Sequence, residues 1–106
     1  MSEYYILKGR EAVPTDSVEE WARMFEDRTG RRVAATEVAP DISVSTVFLG
    51  LDHSFGGGPP ELFETLIFGG PDAGEMDRYS TWAEAEAGHE RMVAAQRARA
   101  AQRRAG

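Results

Sequence analysis

Asp52, His53 and Glu64 are the residues whose types and spacing best suggest chemistry. Asp52 and His53 open a loop, DHSFGGGPP, and Glu64 follows shortly after it. A carboxylate beside an imidazole, with a second carboxylate in the same hairpin, is the material of a general acid/base pair in a small hydrolase or phosphodiesterase. The glycines between them, Gly57 at their centre, let the backbone approach a ligand closely or adopt positive φ. The plainer alternative is a glycine-rich turn held in shape by a hydrogen-bonded Asp-His pair. Gly-Gly-Gly-Pro-Pro matches neither GxGxxG nor the Walker loop, so no nucleotide fingerprint is present. The only other histidine, His89, sits on the apolar stripe of a helix and reads as a core residue. Two histidines and scattered carboxylates make too thin a set for a metal site, and no metal or cofactor is expected.

A second constellation is Arg78-Tyr79-Ser80-Thr81, just ahead of a helix. Unpaired N–H groups at a helix N-terminus suit a phosphate or carboxylate. With His53 and Gly57 from the glycine loop, these four residues are the candidate ligand-binding set for a small anionic ligand. Against that, Thr81 with Glu84 makes a full capping box, and Thr81 capping its own helix is the simpler role.

These residues must be positioned by a modest number of elements. Glu3 to Lys8 is a short strand-like run stopped by Gly9. Asp16 as N-cap with Glu19 opens a helix whose Val18, Trp21, Ala22 and Phe25 form one apolar face, ended by Gly30. Residues 32–38 read as a second strand, turned at Ala39-Pro40-Asp41. Residues 42–51 form a third, with Ile42, Val44, Thr46 and Phe48 on one side. Residues 62–68 form a fourth, followed by a polar loop through Tyr79. A second helix starts after Thr81 and carries Trp82, Ala85, His89, Met92 and Val93 on its buried stripe, fraying after Arg97.

This order, β-α-β-β-β-α, predicts an α+β two-layer sandwich: a four-stranded, mainly antiparallel sheet with two helices on one face. The first strand is expected to pair in parallel at a sheet edge. The 52–60 loop and the two helix N-termini are expected at opposite ends. The half-apolar open face of the sheet points to a homodimer or higher assembly.

Composition bounds the rest. The 106 residues suit one domain, here residues 1–93, with 94–106 as a basic helix end or tail. There is no cysteine, no signal-peptide pattern at the start and no run of about 20 apolar residues for a membrane span, which suits a cytoplasmic protein. A net charge of −6 argues against bulk nucleic-acid binding. All 18 acidic residues and seven of the 12 basic ones lie in residues 1–90, leaving that part at −11; the remainder, with five arginines and no acid, stands at +5. The basic end is either the solvated terminus of a helix or an arm that pairs with the acidic body of a second copy.

The segments YYILKG, EEWARMFE, RRVAATEV, VSTVFLGLDHSFGGGPPELFETLIFGG and RYSTWAEAEAGHERMV resemble a family of small proteins from bacteriophage genomes and their bacterial hosts. The resemblance spans roughly residues 4–93 and is most specific from Ser45 to Gly70. It implies a setting, the host cytoplasm, and an accessory role such as binding or cleaving nucleotide signals of host defence. It implies no catalytic residue. Binding module, protein-interaction factor and His53-dependent enzyme therefore remain the three readings.

Overall fold

The structure, a computed structural model, describes residues 3–54 and 57–106; Phe55 and Gly56 of the glycine loop lie outside the described residues. Among the described residues the elements are, in order, β1 Tyr5–Lys8, β2 Glu11–Pro14, α1 Val18–Glu26, α2 Arg28–Arg31, β3 Arg32–Ala39, β4 Ile42–Phe48, β5 Phe63–Phe68, β6 Met76–Tyr79 and α3 Trp82–Ala105. The fold is α+β, with a four-stranded antiparallel sheet in the order β3-β4-β5-β6 and a separate β1-β2 hairpin.

The N-terminal strand does not join the main sheet. It reverses through the two-residue loop Gly9-Arg10 and pairs with β2, Lys8 opposite Glu11. Gly9 has φ +65, as the first position of a II′ hairpin turn requires. The main sheet takes its fourth strand instead from β6, inside the stretch expected to be a polar loop. Edge strands carry charged side chains without penalty, so Asp77 and Arg78 masked β6 in the sequence.

That extra strand reverses the chain once more. Tyr79 pairs with Phe63, so α3 begins at the end of the sheet where the 52–60 loop lies, not at the opposite one. The 69–75 turn and the Pro40 turn share the far end, where a Cβ on Gly69 would run into the Asp41 carbonyl.

The alternation along β4 is as the sequence implies: Ile42, Val44, Thr46 and Phe48 are buried. They meet Phe63 and Ile67 of β5 and the inner face of α3. Ala85, Gly88, His89, Val93, Gln96 and Ala100 are the buried residues of α3. The helix runs unbroken to Ala105 rather than fraying after Arg97. Gln96 Nε2 and Arg99 Nη1 both donate to Asp72 Oδ2, at 2.9 and 2.8 Å, which ties its second half to the 69–75 turn.

The start of α1 also differs from expectation. Ser17, not Asp16, is the N-cap, its Oγ accepting from the Glu20 N–H at 3.1 Å. Thr15 Oγ1 donates to Glu20 Oε1, so the supporting carboxylate is Glu20 rather than Glu19. Gly30 is not a stop but the middle of α2; its N–H donates to the Asp27 carboxylate, which ends α1 and caps α2. Val18 and Phe25 of the expected apolar face are largely exposed. Trp21, as expected, and Met24, in addition, make the contacts, with Trp21 Nε1 donating to the Gly50 carbonyl at 3.0 Å. Gly50 (φ +78) accepts from the Tyr5 N–H as well, and so fastens α1 and the hairpin to the end of β4.

Candidate functional site

The loop after β4 is built around Asp52. Its Oδ1 accepts from the N–H of Ser54 at 2.8 Å and of Glu61 at 3.0 Å, pinning both ends of the loop. The Ser54 hydroxyl and N–H, with the Glu61 N–H, hold this carboxyl below the usual aspartate range. The His53 N–H donates to the Glu61 carbonyl, a further clamp. Among the described residues no hydrogen bond joins the His53 ring to Asp52 or Glu64. Glu64 sits on the outer face of the sheet, where its Oε2 accepts from Arg78 Nε at 3.1 Å. The three candidate catalytic residues are thus each engaged separately, and no group of three or more acidic or histidine side chains among the described residues is placed to hold a metal.

The candidate ligand set divides in the same way. Arg78 faces outward, paired with Glu64. Tyr79 is a core residue whose hydroxyl burial pushes upward in pKa, and its ring lies over Gly88. Gly57 takes φ +81 in the loop, apart from the cleft described next. Ser80 and Thr81, by contrast, line that cleft, a cavity of about 820 Å³.

Because β6 brings α3 round to the loop end, the cleft has three walls that the sequence kept apart: the β1-β2 hairpin, Pro59-Pro60 of the loop, and the first turn of α3. Tyr5, Ala12, Leu62 and Trp82 make it predominantly apolar, and Lys8 and Arg10 supply cations, with Glu11 and Glu86 nearby. The Arg10 guanidinium lies 5.3 Å from the centre of the Trp82 ring and 3.9 Å from Glu86. A cation over an indole at this distance is attracted by the face of the ring. Trp82 itself stands edge-on to Phe63 (centroids 6.2 Å apart, planes at 83°), and its buried indole N–H has no acceptor among the described residues. At the helix start, Thr81 and Glu84 complete the expected capping box, using the N–H groups of Thr81 and Glu84. The N–H groups of Trp82 and Ala83, the first two of the helix, carry its positive dipole end to the cleft.

Lys8, Arg10, Pro59, Pro60 and Trp82 are site residues the sequence did not single out as such. The signal for Trp82 was ambiguous, since an aromatic one residue past an N-cap reads equally as core. The signal for Lys8 and Arg10 was missing, because it needed the hairpin. His89 is a core residue with both ring nitrogens satisfied, as expected, and is fully rather than partly buried: Nε2 lies 2.9 Å from Thr36 Oγ1 and Nδ1 2.7 Å from Thr46 Oγ1, which in turn bonds Thr65 Oγ1 at 2.6 Å.

No helix among the described residues is long and apolar enough to cross a membrane. No protein-family model, curated protein or solved structure matches this chain.

Proposed function

We propose that this protein is a small ligand-binding module whose cleft holds an anionic molecule with a flat apolar part, the nucleotide class being the best fit. The observation that carries the reading is the cleft itself. Its volume, about 820 Å³, falls in the range of roughly 300–1,000 Å³ typical of small-molecule sites. Trp82, Tyr5 and the two prolines offer flat surfaces for a base. Lys8, Arg10 and the open amides at the start of α3 offer positive charge for a phosphate. Binding is favoured over turnover because Asp52 is consumed in shaping its loop and Glu64 in pairing with Arg78, which leaves His53 without the carboxylate a hydrolase would need. The resemblance to phage-encoded proteins supports a cytoplasmic accessory role, in which the protein sequesters a nucleotide signal of host defence.

Thermal denaturation against a panel of mono-, di- and cyclic nucleotides tests this, with each ligand recovered and analysed afterwards. A ligand present at a hundred times its dissociation constant adds about 2.7 kcal/mol of stability. The expected result is a raised Tm for at least one nucleotide, recovered intact, and loss of the shift in Arg10→Glu and Lys8→Glu variants. Recovery of a cleaved ligand would restore the His53 enzyme. An unmoved Tm across the panel would remove the nucleotide reading and leave a protein-interaction factor.

A further inference from the structure

The outward side of α3 has a pattern that its own fold does not use, although Ala83 and Glu86 at its start also line the cleft. The buried residues of α3 face the sheet. At 100° per residue, Ala83, Ala87, Ala94, Ala98, Ala101 and Ala105 fall within about 60° of one another on the opposite side of the helix. All six are exposed. Along one border of this face run Glu86 and Glu90 in the first half of the helix, then Arg97 and Arg104 in the second. Among the described residues Glu90, Arg97 and Arg104 form no ion pair, and Glu86 has only the loose, solvent-exposed contact with Arg10. Arg99, on the other hand, is used inside the chain, by Asp72 and Glu75. Arg91 and Arg103 of α3 likewise form no ion pair among the described residues, so the charges along this border are free to pair with another copy.

The geometry points to a second copy of this chain as the occupant, docked with its α3 antiparallel to the first and a two-fold axis near Ala94. An antiparallel crossing at Ala94 sets Glu90 opposite Arg97 of the other copy and Glu86 opposite its Arg104. Each pair is offset by no more than about 3 Å along the axis at 1.5 Å per residue, within the reach of an arginine. Two-fold symmetry repeats both pairs, so four ion pairs bracket the contact. In a parallel two-fold pair this border would face the other one, which carries Glu84, Arg91 and Gln102, and only Glu90 would meet an opposite charge, Arg91, so the charge order favours the antiparallel direction. Alanine allows the two helices to approach at the short end of the usual 8–10 Å interaxial range. The arrangement also gives a partner to the last turn of α3, whose residues 101–105 are exposed on every side. The basic end thus meets acidic residues of another copy's α3, on the same helix rather than elsewhere on the body.

The outer face of the sheet is the competing surface. It exposes Phe68 and Met76, each 51% exposed, with half-buried Leu66 beside them, while the Glu64–Arg78 ion pair lies toward the other end, next to Val47 of β4.

Sedimentation equilibrium on the full chain separates the two. A dimer is expected, and Arg97→Glu and Glu90→Arg are each expected to weaken it about tenfold or more, while the double variant with both changes restores it. The chain has no cysteine, so Ala94→Cys alone should give an oxidised, covalent dimer in high yield, and Ala83→Cys alone should not. All these positions are exposed, and circular dichroism checks that each variant keeps its fold. A chain that stays monomeric overturns the proposal. So does a dimer that ignores both charge reversals, fails to cross-link through position 94 and dissociates in Leu66→Asp.

Discussion

At the scale of single residues, the most constrained group is His89. Both ring nitrogens are taken by threonine hydroxyls, and among the described residues no carboxylate bonds to the ring. Burial holds its pKa below the ordinary value of 6.5, with Glu90 opposing only in part. The unfolded chain therefore binds a proton at higher pH than the folded one. Stability from this residue is complete above about pH 6.5 and is lost as pH falls through the lower folded value. The Tm is expected to drop between pH 7 and pH 5.5, and His89→Gln, which keeps hydrogen-bonding capacity, should flatten that slope. Asp52 and Asp72, whose pKa values are depressed by hydrogen bonds, act only in the lower window beneath the ordinary 3.8. Gly88 is constrained in a different way. A Cβ there would come within 2.2 Å of the Tyr79 ring. Alanine is the better helix former by about 1 kcal/mol, yet overpacking of a core costs about 1–3 kcal/mol. Gly88→Ala is therefore expected to lower stability in urea denaturation, against the trend of helix propensity.

At the scale of elements, the cap of α1 gives a clean comparison. Ser17→Ala removes the acceptor for the Glu20 N–H and is expected to cost about 1 kcal/mol, whereas Asp16→Ala should be close to neutral. Chemical denaturation of the two variants checks the assignment. Elements with a strong internal signal were legible from the residues: the alternation of β4, the Thr81–Glu84 box, the buried stripe of α3. What escaped was whatever depends on partners distant in sequence. Glu11–Pro14 is four residues ending in proline and becomes a strand only because Gly9 turns it back on β1. Met76–Tyr79 is polar and becomes one only because β5 offers an open edge. Missing β6 had a larger effect than its four residues suggest, because one unrecognised reversal sent the start of α3 to the wrong end of the sheet. Ser80 and Thr81 were found as candidates, but the hairpin and the proline pair that stand across the cleft from them were not.

At the scale of the whole molecule, α3 sets the shape. The radius of gyration is 15.3 Å, against about 13 Å for a compact chain of this length, and the longest dimension is 53 Å. A helix of 24 residues accounts for about 36 Å of it. Its first turn closes the cleft, its middle covers the sheet, and its last turns project beyond the core. The helix thus carries the cleft at its start and a basic, exposed last turn at its end. The central claim concerns the first of these, that the cleft between the hairpin, Pro59-Pro60 and Trp82 is where a ligand sits. The most direct measurement is a two-dimensional ¹⁵N–¹H titration with the nucleotide that raises the Tm most. The expected result is that the Trp82 indole N–H and the amides of Lys8, Arg10, Trp82 and Ala83 shift in a saturable way, while those of the 69–75 turn stay still. Saturable shifts at the 69–75 turn or on the outer sheet face, with the Trp82 indole unmoved, would contradict the account.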